Sequence, residues 1–175
     1  MTPATDKGAA AGAAWTAGEA VEVLTFELNG EVFALGASAV QEIMDMAPET
    51  AVPGAGAFAG SVINFRGKVI PLADLRVAFG LEVGEPTIDS RIVVIEIALD
   101  GEQTLVGLRT DKVREVTTLT RADSEAPPSV GMRWRPEFIE CLVKRDGDFI
   151  VVPALQEIFN QQRDARQPVA SSTRH

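Results

Sequence analysis

Four dipeptides ending in glycine divide this chain into short apolar runs: Asn29-Gly30, Arg66-Gly67, Asp100-Gly101 and Asp146-Gly147. Glycine supplies the positive φ that a two-residue turn between twisted strands needs, so each dipeptide reads as the tip of a hairpin. Around the first, Leu24, Phe26 and Leu28 alternate with Val23, Thr25 and Glu27, and Val32, Phe33 and Leu35 return. Val62-Ile63 with Phe65 and Val69-Ile70 with Leu72 flank the second. Ile92 to Leu99 and Leu105, Val106 and Leu108 flank the third, and Phe138 to Val143 and Phe149 to Val152 the fourth. Pro71, which has no N–H for a ladder, argues against a fully paired central strand in the second hairpin.

The hairpins come in two similar sets. Gly30 parallels Gly101, Val40-Gln41-Glu42-Ile43 parallels Val113-Arg114-Glu115-Val116, Gly67 parallels Gly147, and Leu75 and Phe79 parallel Leu155 and Phe159. A duplicated, mainly β chain of short strands is expected to form two small barrels, which leave no open sheet edge. The expected divisions are a disordered tail over 1–20, a folded region over 21–160 with subdomains at about 21–82 and 89–160, and a flexible tail over 161–175. Ser38 is placed to cap a short helix carrying Val40, Ile43 and Met44. Asp74 is placed to begin another through Phe79, and Pro153 suits the first turn of a C-terminal helix. The stretch from Pro48 to Gly60 reads as a connection with at most one helical turn. Gly80 to Ser90 reads as a linker, and Arg121 to Gly131 as a second loop.

Charge and composition exclude several kinds of activity. The net charge of −9 and the absence of a Lys/Arg cluster count against nucleic acid. Cys141 is the single cysteine, which rules out an intrachain disulfide and fits a reducing compartment; its place in an apolar strand reads as a small core residue. His175 is the one histidine and lies in the tail, and no metal-ligand spacing occurs. Gly54-Ala55-Gly56 with Gly60 lacks the Gly-Lys-Ser/Thr ending of a phosphate loop and reads as turns. With no spanning apolar segment and no signal-peptide centre, the expectation is a cytoplasmic protein without direct membrane insertion, without catalytic residues and without cofactor.

The sequence resembles the CheW family, the coupling proteins of bacterial chemotaxis. The resemblance rests on Leu24-Thr25-Phe26 with the Asn29-Gly30 turn, on Val40-Gln41-Glu42-Ile43, and on the run from Gly60 to Arg76. That run contains Asn64-Phe65-Arg66-Gly67, where the family has Asn-Leu-Arg-Gly, followed by Pro71-Leu72-Ala73-Asp74-Leu75-Arg76. It spans about residues 21–160 and implies two SH3-like five-stranded barrels packed together. It also implies an adaptor without catalysis, which bridges methyl-accepting chemoreceptor signalling helices and the regulatory domain of a CheA-type histidine kinase. Other copies in rings are a further implied partner, in receptor arrays at the membrane.

The resemblance places Val40, Glu42 and Ile43 near receptor recognition and Arg66 at the motif's tip; the residues expected to bind receptor or kinase are these four with Gln41, Met44, Val106 and Leu108. Opposite charges on the two most family-specific motifs suggest an ion pair between Glu42 and Arg66. The chain departs from the family pattern at Arg109-Thr110, at Arg133, Trp134 and Arg135, and at Ile139-Glu140-Cys141. Two other readings stay open: a similar scaffold in a surface-motility pathway, and a small β-barrel enzyme.

Overall fold

The computed structural model describes residues 20–127 and 134–162. The first repeat contains β1 (Ala20–Leu28), β2 (Glu31–Gly36), β3 (Val40–Asp45), β4 (Thr50–Ala51), β5 (Ser61–Phe65), β6 (Lys68–Ala73) and helix α1 (Leu75–Ala78). The second contains β7 (Arg91–Leu99), β8 (Glu102–Thr110), β9 (Lys112–Thr120), β10 (Ser124–Glu125), β11 (Ile139–Arg145) and β12 (Asp148–Pro153), then helix α2 over 155–162. All four glycine dipeptides turn hairpins. Asn29, Arg66, Asp100 and Asp146 have φ of 52–54°, and the glycines after them 81–85°, the pattern of a type I′ turn.

Two six-stranded sheets result, with strand orders β10-β11-β12-β2-β1-β9 and β4-β5-β6-β8-β7-β3. Read side by side, these orders are the same order: each strand of one repeat sits where its counterpart sits in the other sheet. Each sheet takes its first two repeat strands from one half of the sequence and its last four from the other. The boundary expected between residues 82 and 89 therefore falls between two strands of one sheet. In each sheet five strands run five residues or longer, and the sixth (β4 or β10) has two.

Polar contacts bridge strands that lie far apart in each sheet's order. Arg66, at the β5–β6 tip, is hydrogen-bonded to Glu42 on β3, at the other end of that sheet's order. In the other sheet Arg145 on β11 donates to the Thr118 carbonyl of β9 at 3.0 Å and to Thr117 Oγ1 at 2.9 Å. These are two SH3-like barrels. Each has a small core of its own, one around Val23, Leu119 and Val152 and the other around Ile63, Leu72 and Val94. A larger core between them gathers Phe26 and Phe33 from one sheet, Val93 and Ile95 from the other, and Phe138, Ile158 and Phe159. Strand β7 touches two cores at once, with Ile92 and Val94 in the small core and Val93 and Ile95 in the shared one, which is why Ile92 to Ile95 is apolar on both faces.

Several local expectations change. Val40 to Met44 form strand β3, preceded by a 3-10 turn at Ala37–Ala39, because β7 offers a ladder that a solvent-facing helix would lack. Pro153 ends β12, and α2 begins two residues later. Pro71 is accommodated because β6 meets β8 only at Leu72 and Ala73. Pro48 to Gly60 holds the short strand β4 and no helix, and Ala20, assigned to the tail, opens β1. Gln161 and Gln162, placed in the tail by the sequence, end α2, and the expected loop from Arg121 holds a 3-10 turn at Arg121–Asp123 and strand β10; the remaining tail and loop expectations, for 1–19, 163–175 and 128–131 with Arg133, lie outside the described residues.

Candidate functional site

The first candidate region is the edge formed by β3 and the β5–β6 tip. Along β3, Val40 packs against the shared core and Met44 against the small core beneath, while Gln41 is exposed and Ile43 is 43% exposed. A bulge between Val40 and Glu42 interrupts the alternation, so that Val40 and Met44, four apart, reach different cores. Arg66 holds its position through three contacts. It pairs with Glu42, its guanidinium carbon lies 5.1 Å from the Phe65 ring centre, and its turn is braced by Gly67 N–H donating to Asn64 Oδ1 at 3.2 Å. Its side chain is still 72% exposed, so the pair contributes only about 0–1 kcal/mol and its effect is positional. Val69 stands exposed beside the tip.

Six of the eight residues marked in the sequence thus share β3 and the adjoining tip. Val106 and Leu108 do not join them: both are completely buried in the shared core and contribute packing but no surface. The second barrel has an equivalent edge, where Val116 on β9 and Phe149 on β12 are exposed counterparts of Ile43 and Val69. Lys144 Nζ lies 6.0 Å from the centre of the Phe149 ring.

The second region is an ionic junction between the barrels, which reasoning from the sequence missed. Asp74 caps α1, accepting from Arg76 N–H at 3.0 Å, and Arg76 turns back on it with Nε at 2.9 Å and Nη2 at 2.8 Å. Arg76 Nη1 also reaches Asp111 at 2.9 Å, in the β8–β9 crossover, and Asp111 accepts from Asn29 N–H at 2.6 Å. Both members of the first pair are buried, Asp74 at 5% exposure and Arg76 at 6%. Hydrogen bonding of its guanidinium to Asp74, opposed by burial, holds the Arg76 pKa above its ordinary value. The Asp-Leu-Arg run was visible, but nothing local indicates Asp111 as the third member.

Arg109 extends the cluster, pairing with Glu49 and lying 3.7 Å from Asp74, while Ser61 Oγ donates to Glu49 at 2.6 Å. These groups line a cleft of about 680 Å³, together with Val83 and Pro86. Arg109, first, and Ser61 hold the Glu49 carboxyl below its ordinary 4.5 against the opposing effect of burial. A lowered folded-state pKa stabilises the fold above the unfolded value, and that contribution is lost as pH falls through the folded one. Denaturation midpoints at neutral pH and below 4.5 are therefore expected to differ less in Glu49→Gln than in the parent, by under about 1 kcal/mol for a partly exposed pair. An equal pH dependence in both proteins would refute this. Ion-paired carboxylates of this kind hold charge in place and make poor general bases. Among the described residues no group of three or more His, Cys, Asp and Glu is arranged to hold a metal.

With that geometry in place, the comparisons are consistent with one another. The family model for the CheW-like domain matches residues 22–163. The chemotaxis protein CheW of Rhizobium meliloti (strain 1021) is 28% identical over 145 residues, covering 82% of this chain and 91% of that protein. The chemotaxis protein CheW of Bacillus subtilis (strain 168) is 30% identical over 141 residues, covering 81% and 88%. Among solved structures, the scaffolding protein TtCheW from Thermoanaerobacter tengcongensis superposes with a TM-score of 0.71 at 30% identity, covering 81% of this chain and 88% of that one.

Proposed function

The chain belongs to the family of CheW-like domains, and from that premise we propose that it is a non-enzymatic adaptor of chemotaxis arrays. It couples chemoreceptor signalling helices to the regulatory domain of a CheA-type histidine kinase, in the cytoplasm. One observation supports this reading above the others: Arg66, exposed at a type I′ tip whose second strand carries the exposed Val69, is held by Glu42 on the strand that carries the exposed Ile43. A fixed cation bordered by apolar side chains suits a protein partner, because little side-chain freedom is lost on docking. The equivalent edge at Val116 and Phe149 supports a second contact, with the kinase barrel or another copy of the chain. An adaptor with two such edges transmits a signal when its contacts differ between the partners' states.

Co-sedimentation with a receptor signalling fragment and a CheA-type kinase tests the proposal. Arg66→Ala is expected to weaken capture about tenfold, equivalent to roughly 1.4 kcal/mol. Its melting temperature should stay close to the parent's, because an exposed pair adds little to stability. Undiminished capture of both partners by this variant would count against the proposal. No helix among the described residues is long and apolar enough to cross a membrane.

A further inference from the structure

The connector between the two repeats carries a feature that the adaptor reading leaves unused. Ile88 is 89% exposed, more than any other large apolar side chain among the described residues. A lone isoleucine in water is ordinary on a surface, but this one sits at the apex of a tightly bonded turn. Thr87 N–H donates to Ser90 Oγ at 2.8 Å, Asp89 N–H to Thr87 Oγ1 at 3.1 Å, and Ser90 N–H to the Thr87 carbonyl at 3.1 Å. Ser90 itself is buried. From beneath, Arg91 Nη1 donates to the carbonyl of Ile88 at 2.9 Å and to that of Ser90 at 2.8 Å. The fold spends these bonds on fixing an apolar side chain that stands clear of the other described residues. A side chain displayed this way loses little freedom when a partner covers it.

The surroundings indicate the kind of partner. Glu82, Glu85 and Asp89 are the charged residues between Gly80 and Ser90, so the connector is acidic and Asp89 lies within the turn itself. Arg91 Nε lies 3.6 Å from Asp45, the last residue of β3, which places the turn at the end of the strand that carries Glu42 and Ile43. We propose that the Thr87–Ser90 turn is a docking element, whose Ile88 enters an apolar socket rimmed by lysine or arginine on a protein partner of the β3 edge. The inference rests on the adaptor reading, because it extends the same contact past the end of β3. Ile88 is the anchor, and the three carboxylates set the sign of the rim they meet.

The test measures binding of the full chain to a CheA-type regulatory domain and to a receptor signalling fragment from the same organism. Variants are Ile88→Asp, Ile88→Leu, Glu85→Gln with Asp89→Asn, and Ile43→Asp as the control for the β3 edge. Ile88→Asp is expected to lose at least tenfold in affinity for one partner, with melting unchanged, while Ile88→Leu retains binding. The doubly neutralised variant should bind more weakly, and with less dependence on salt, than the parent. If Ile43→Asp weakens binding and Ile88→Asp does not, this inference is overturned and the adaptor reading stands. If neither weakens it, this inference and the β3 edge as the contact are both overturned, and a parent that binds neither partner overturns the adaptor reading itself. Loss in Ile88→Asp alone supports the turn and removes the β3 edge from the contact.

Discussion

Arg76→Ala is expected to be among the most destabilising single substitutions in this chain, at about 3–5 kcal/mol, the usual cost of leaving one charge of a buried pair without its partner. The reason lies in how Asp74 and Asp111 are satisfied. Arg76 gives two side-chain hydrogen bonds to Asp74 and one to Asp111, and Asp74 is 5% exposed, so water cannot replace the guanidinium there. Arg109, at 3.7 Å, is too far to hydrogen-bond in its place. Thermal unfolding should shift down by on the order of 10 °C. Asp111→Ala should cost less, because Asp111 is about a third exposed and Arg76 keeps Asp74. A double-mutant cycle between Asp74 and Arg76 should give a coupling within the roughly 0.5–3 kcal/mol seen for contacting residues. An Arg76→Ala variant melting within a degree or two of the parent would show that the junction carries no stability.

Phe33→Ala is expected to cost a similar amount, about 3–5 kcal/mol, by a different mechanism. Phe33 has no exposed surface and sits between Phe26 at 6.0 Å, Phe79 at 5.2 Å and Trp134 at 6.0 Å, measured between ring centres. It also stands at the parallel join of β2 to β12, opposite Val151. Truncation opens a cavity in the core that both barrels share, and strands from both repeats cannot easily close over it. Because each sheet contains strands from both halves, the variant should still unfold in one transition. Its urea midpoint should fall while the slope stays unchanged. Two separate transitions would show that the barrels are independent and that the shared core is not what unites them.

The hairpins were legible in the sequence because a type I′ turn is specified by the dipeptide that makes it, and Asn29-Gly30 or Asp100-Gly101 needs no distant residue to take that shape. The pairing of Glu42 with Arg66 was legible as opposite charge on two motifs, and the fold brings them together. Val40, Ile43 and Met44 are spaced three and four apart, which fits a helix face equally well, and only pairing with β7 makes Val40 to Met44 a strand. There Glu42 lies opposite Val94, and Ile43 opposite Val93. Val106 and Leu108 share an alternation that any half-buried strand would show, so their complete burial was not visible locally. Asp111 and Ser90 were likewise unmarked, since their roles depend on Arg76 and on the turn before β7.

What the chain determined by itself was the set of hairpins, their duplication, the absence of a disulfide and the motifs shared with one family. All of these depend on neighbours within a few residues, or on residue identity alone. What only the tertiary structure decided was the exchange of strands between the halves, the buried junction at Asp74, Arg76 and Asp111, and which apolar residues reach water. Those depend on contacts between distant segments. A strand's partner is set by which surfaces can be buried together, and a charge can be buried only where the fold delivers its counter-charge.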